Sequence, residues 1–200
     1  MAVTQPWLLE EMCMEHPQPD DKNWTWVLER PCPDCSFDAS TIARHAIGAT
    51  LRTNVGAWHE VLSRGDLVRQ RPPRRSDGGV IWSALEYGCH VRDVFVLFDE
   101  RLRLMLTQPD PTFLNWDQDA TAIAKRYWED DPMTVREALR EAGGRLADAF
   151  DQVRNNQWAR TGTRSDGARF TVESFGRYFL HDPIHHLWDV RRGFEALARR

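Results

Sequence analysis

The segment Tyr178-Phe179-Leu180-His181-Asp182-Pro183-Ile184-His185-His186-Leu187-Trp188 holds three of the chain's seven histidines. On a helix, His181 and His185 stand one turn apart and project from one face. Tyr178 and Trp188 lie on that face, three residues before and after. Apolar residues around two imidazoles place the pair at an interior, where two neutral histidines are a natural chelating pair for a divalent ion. A third ligand must then come from another helix. His90 is the candidate, because Val94 and Phe98 continue its apolar stripe. Three histidines from two helices leave coordination positions open, the pattern of catalytic rather than structural zinc. The alternative is three separate core histidines, hydrogen-bonded and inert.

Several neighbours bear on this site. Pro183 falls between the two ligands and removes a backbone donor. A register shift there, through a π-bulge, would let His186 replace His185. Asp182 follows His181 and Asp189 is one turn beyond His185, so either is placed to orient a ligand imidazole or to stand solvated at the surface. Cys32 and Cys35 form a lone C-x-x-C in Pro31-Cys32-Pro33-Asp34-Cys35. No second C-x-x-C completes a zinc ribbon. The pair is read as redox-sensitive support of the N-terminal arm, in a loop outside the helical core, rather than as part of the histidine site; a second metal site, part of a thiol-handling pocket and two structural thiols are the alternatives. Cys89 points about 100° away from His90 on a helix and belongs to the core. His45, Arg52 and His59 repeat every seven residues on a solvent or boundary face.

The elements that must position these residues are four long helices. Asp38 offers an N-cap, and Ala43, Ile47, Leu51, Asn54, Trp58 and Leu62 repeat at helical spacing, which predicts a first helix from Ala39 to about Ser63. Ser83-Ala84-Leu85-Glu86 is a capping box opening a second helix that runs to about Thr107. Gln108 to Pro132 is a long connection, with a short helix at about Gln118 to Trp128. Thr134-Val135-Arg136-Glu137 is a second capping box opening a third helix, whose Gly143-Gly144 either weakens it or marks close contact. Asn155 to Phe170 suggests a β-hairpin or extended loop. A fourth helix begins near Thr171. The fold class is therefore all-α, a four-helix bundle with a long connection between helices two and three. It occupies residues 38–200, preceded by an N-terminal arm, residues 1–37. Trp7-Leu8-Leu9 and Trp24-x-Trp26-Val27-Leu28 are the arm's handles for packing on the bundle.

Composition bounds the function. With 42% hydrophobic and 28% charged residues over 200 positions, the chain is an ordinary globular one. A net charge of -4 argues against general nucleic-acid binding. No apolar run reaches the roughly 20 residues of a membrane span, and no secretory signal is seen. Cysteine usage fits the cytoplasm. Only Lys22 and Lys125 of the 26 basic residues are lysine, a bias read as GC-rich coding and a hint of a bacterial source.

A bundle with His90 shortly after Trp82-Ser83 in helix two, and His181-x-x-x-His185 in helix four, resembles the DinB-like superfamily. That group includes the mycothiol-dependent maleylpyruvate isomerase N-terminal domain and the bacillithiol and mycothiol S-transferases. The resemblance covers about residues 38 to 198. It implies a divalent metal, most often zinc, on His90, His181 and His185. It also implies thiol transfer or isomerisation with a low-molecular-weight thiol, for which the GC-rich signature favours mycothiol. The expected partner is a small-molecule substrate, with no nucleic acid and no membrane, and the chain acting as a monomer or homodimer. A metal-dependent hydrolase is one alternative, since open zinc also activates water. A metal-binding stress or interaction protein without turnover is the other. Pro183 and the C-x-x-C arm both depart from the family pattern.

Overall fold

The computed structural model describes residues 23–199. The Trp7-Leu8-Leu9 handle lies outside them. Four long helices carry the fold: α1 (Ile47–Leu62), α2 (Ala84–Thr107), α4 (Pro132–Asp151) and α5 (Val172–Ala198). The short α3 (Gln118–Ala124) sits in the long α2–α4 connection. A small three-stranded sheet is added at one end. β1 (Thr112–Phe113) pairs parallel with β2 (Thr161–Arg164), and β2 pairs antiparallel with β3 (Arg169–Thr171). The hairpin expected in this region is thus present; the strand β1 has too short a signature to have been read.

The helix starts follow their caps. Ser83 accepts from the Glu86 N–H, and the Glu86 carboxylate accepts in return from the Ser83 N–H at 2.8 Å. At α4 the cap is Asp131, which accepts from the Thr134 N–H, with Pro132 in the first turn. The expected Thr134 cap is therefore displaced by one turn, because Asp131 followed by Pro132 fits the first turn better. Helix one also begins later than its periodicity suggests. Asp38 does cap, but it caps a single 3-10 turn, Ala39–Thr41. The Ser40 and Thr41 hydroxyls bond back to the Asp38 side chain and carbonyl, competing with helix propagation. Ile42 then turns extended, and α1 starts only at Ile47.

The core is an aromatic stack between α2 and α5. Phe98 lies 4.8 Å from Phe175 and 4.9 Å from Phe179, and Phe95 is 5.8 Å from Phe179 (ring centroids). Helix α4 closes on this stack at Gly143. A Cβ there would stand 2.4 Å from Val55 Cγ2 and 2.8 Å from the Phe95 ring, so Gly143 marks close helix contact. Pro183 lies inside α5 without ending it: the helix is continuous α-helix from Val172 to Ala198, with no π-bulge. The Pro183 carbonyl accepts from Asn54 Nδ2 and Trp58 Nε1 of α1, both at 3.1 Å. These two bonds fix the rotation of α5 about its own axis.

Gly143→Ala should lower stability by about 1–3 kcal/mol through overpacking. Gly144→Ala, whose Cβ would meet nothing within 4 Å, should leave it unchanged or raise it by up to about 1 kcal/mol. Chemical denaturation of both variants checks this, and equal midpoints would contradict it.

Candidate metal centres

Continuity of α5 through Pro183 has a direct consequence for the histidines. Residues 181 and 185 form one rail along the helix, and residues 182 and 186 form a second, about 100° around the axis. The structure distributes the side chains accordingly. Cys32, Cys35, His181 and His185 each bring a ligand atom within 4.8 Å of all the others, and so do His90, Asp182 and His186. The three histidines expected to share one ion are thereby divided between two groups. His90 joins the second rail, not the first.

The first group lies where the arm meets α5. After a 3-10 turn at Trp24–Leu28, capped by Asn23, the chain folds back in a tight turn. Here the Cys32 N–H donates to the Phe37 carbonyl at 2.8 Å and the Ser36 N–H to the Cys32 carbonyl at 2.9 Å. Ser36 takes the left-handed conformation at φ 60°, which lets Cys32 and Cys35 face the same way. Cys32 Sγ lies 3.7 Å from His185 Nδ1. The C-x-x-C is therefore not remote from the histidines, as its sequence position implied. The Trp24 ring sits 5.2 Å from His181 and 5.3 Å from His185, Phe37 is 5.7 Å from His181, and Trp188 is 5.4 Å from His185. These rings cover His181 and His185; both histidines and Cys32 are buried, while Cys35 is partly exposed. Burial, helped by the neighbouring His185, pushes the His181 imidazole down to about 4. Burial likewise lowers His185. Both are neutral at pH 7, the form that binds metal. Burial pushes the Cys35 thiol up to about 12, against the Phe37 N–H directed at its sulfur. Cys32 and Cys35 are free thiols, not a disulfide.

The second group lies between α2 and α5. His90 Nε2 is 3.4 Å from Asp182 Oδ1 and 3.5 Å from Oδ2. His186 Nε2 is 3.8 Å from Asp182 Oδ2. These spacings exceed a good hydrogen bond. They match the roughly 3.4 Å between nitrogen and oxygen ligands of one tetrahedral zinc. His90 Nδ1 and Asp182 Oδ1 are buried without a hydrogen-bond partner among the described residues, a costly state unless something else satisfies them. Burial works against the Asp182 charge, yet His90 and His186 overcome it and hold the carboxyl at about 2. The ligand is thus an anion at any physiological pH. Asp189 Oδ2 accepts from His186 Nδ1 at 2.9 Å, and His186 Nε2 faces Asp182. Asp189 thus orients an imidazole, though of His186 rather than His185 alone. Trp82, Tyr87 and Trp116 surround the group, with ring centroids 5.6 Å and 5.5 Å from His90 for the two tryptophans and 4.9 Å from His186 for Tyr87.

Other singled-out residues fall elsewhere. Cys89 is fully buried, its thiol donating toward Asp130 and the Tyr127 carbonyl. Glu86 serves the cap and also pairs with Arg71. The Asp182-x-x-x-His186 pair was missed as a unit. Its signal was present, since any i, i+4 pair of ligand types on a helix is a potential chelate, but the overlapping His181-x-x-x-His185 pair masked it.

A sequence model of the DinB superfamily matches residues 49–190. The chain belongs to the DinB superfamily. Its fold is similar to that of YfiT from Bacillus subtilis, a probable metal-dependent hydrolase with an unusual four-helix bundle topology. The TM-score is 0.56 and the identity 21%, over 92% of this chain and 93% of that one. Comparison with curated proteins finds no match. The DinB match spans most of α1 through most of α5, and so contains His90, His181, Asp182, His185 and His186. Cys32 and Cys35 lie before it. No helix among the described residues is long and apolar enough to cross a membrane.

If Asp189 sets the tautomer of His186, Asp189→Asn should weaken metal binding at this centre by roughly ten- to hundredfold. Competition against a chromophoric chelator measures it, and an unchanged affinity would show that His186 is oriented without Asp189.

Proposed function

We propose that the protein is a metal-dependent enzyme whose reacting centre is His90, Asp182 and His186. The observation that carries this reading is the donor set itself. Two imidazoles and one carboxylate, at ligand-to-ligand spacing and with Asp182 Oδ1 buried and lacking a hydrogen-bond partner among the described residues, are the kind of three-ligand set that catalytic zinc enzymes use, leaving a position for substrate or water. When bound there, a zinc ion would supply a Lewis acid and a nucleophile made acidic enough to ionise near neutral pH.

The chain's own residues do the rest. His90 and His186 bring neutral nitrogen donors, and Asp182 brings one negative charge, so a divalent ion keeps a net positive charge and its electrophilic character. Asp189 holds His186 in register. Trp82, Tyr87 and Trp116 wall the site with aromatic surface, which suits a small, largely apolar substrate and restricts water.

The reaction favoured by this donor set is hydrolysis of a small molecule. Thiol transfer or isomerisation is the second reading, favoured by the family resemblance. A low-molecular-weight thiol such as mycothiol would take the position of water, its thiolate stabilised by the ion. The thiol reading fits a cytoplasmic protein, since low-molecular-weight thiols and a reduced Cys32 and Cys35 coexist there.

The test offers both nucleophiles. Zinc-loaded protein is assayed against a panel of activated esters and amides, and against small electrophiles with and without added thiol. Turnover should appear in one arm and fall by at least about a hundredfold in His90→Ala, as expected when a metal ligand is lost. Turnover that survives in His90→Ala would remove the centre from the reaction. Absence of turnover in both arms, with metal bound, would favour the non-catalytic metal-binding reading.

A further inference from the structure

We propose that Cys32, Cys35, His181 and His185 form a second, structural zinc site that fastens the N-terminal arm to α5. It is separate from the reacting centre of His90, Asp182 and His186 and does not depend on that centre's chemistry.

Four observations converge on it. The ligand types are two sulfurs and two imidazole nitrogens, the Cys2His2 set of closed structural zinc. The four ligand atoms are mutually within 4.8 Å. The Cys32 Sγ to His185 Nδ1 separation of 3.7 Å is close to the roughly 3.6 Å expected between a sulfur and a nitrogen bound to one tetrahedral zinc. His181 Nε2 is buried with no hydrogen-bond partner among the described residues, in a residue only 4% exposed. An imidazole nitrogen in that position lacks the partner that buried polar atoms nearly always have, and a metal ion supplies it.

The surroundings fit the same reading. The turn from Cys32 to Phe37 is held by two backbone hydrogen bonds and one left-handed residue, so the two sulfurs are presented by a rigid loop. The aromatic rings of Trp24, Phe37 and Trp188 cover the two histidines, which suits a structural rather than a reacting ion. His185 Nε2 faces Asp189 Oδ2 at 3.8 Å, while its Nδ1 faces Cys32. Asp189 thus stands behind a ligand histidine of each site and connects the two.

The charge and proton balance is simple. Each thiol loses its proton to solvent as the zinc–sulfur bond forms, so binding one Zn2+ releases two protons. Two thiolates and two neutral imidazoles then neutralise the ion. No redox step is involved. All four positions are filled by protein, and the site has no place for substrate.

The test uses the full-length protein loaded with cobalt(II), which reports its ligands by absorption. Wild type should bind two equivalents per chain, and one of them should give a thiolate-to-cobalt charge-transfer band with the intense visible bands of tetrahedral cobalt. Cys35→Ser and His181→Ala should each lose that band and about one equivalent. His90→Ala should lose the other equivalent and keep the band, so failure of the reacting centre and failure of this site read out separately. Should either variant fail to fold, a thiol titration of wild type decides the matter. Zinc should protect two cysteines from a disulfide reagent, and a chelator should expose them. Absence of a thiolate band together with cysteines that react equally with and without zinc would overturn the proposal.

Discussion

The rotation of α5 about its own axis governs both candidate metal centres. Four ligand-type residues occupy positions 181, 182, 185 and 186, as two overlapping pairs one turn apart. On a helix of 3.6 residues per turn such pairs cannot face the same neighbour. One rail must face the N-terminal arm when the other faces α2. Asn54 and Trp58 hold the Pro183 carbonyl at 3.1 Å, midway between the pairs, and so decide which rail faces which. The helix is anchored at this point by two α1 side chains on the Pro183 carbonyl, although the proline ring itself removes only the backbone bond to the Phe179 carbonyl one turn earlier.

The rest of the fold serves that orientation. The Phe95, Phe98, Phe175 and Phe179 stack binds α2 to α5 just below the His90 centre, and Gly143 lets α4 close on Phe95. The distance between the two helices is then set by packed aromatic rings, whose volume changes little. His90 reaches Asp182 across this gap at ligand spacing. On the other side the arm supplies its own apolar anchors, Val27 and Phe37, both buried, to bring two sulfurs against the first rail. Asp189 joins the centres through one carboxylate, bonded to His186 and facing His185.

Much of this was legible in the residues. The capping box at Ser83, the helical spacing of Ile47, Leu51, Asn54, Trp58 and Leu62, and the hairpin between Asn155 and Phe170 each name a local structure whose cause is local. The bundle followed from them, and the family from the bundle with the placement of His90 and His181-x-x-x-His185. The start of α1 was misread because Ser40 and Thr41 bond to Asp38, a competition that apolar periodicity does not register. The metal groups were misdivided for a different reason. A sequence shows that His181 and His185 share a face, but which neighbour that face meets depends on helix rotation and on a loop 146 residues distant or more. The clue was arithmetical: a C-x-x-C needs two more ligands, and four ligand-type residues on two rails were more than one site required.

The central claim is that α5 holds two ions on two faces. Anomalous diffraction at the zinc edge from crystals of the zinc-loaded protein tests it most directly. The account predicts two peaks, one among Cys32, Cys35, His181 and His185, and one among His90, Asp182 and His186. A single peak ligated by His90, His181 and His185 would contradict it, since α5 would then have to turn and break its bonds to Asn54 and Trp58.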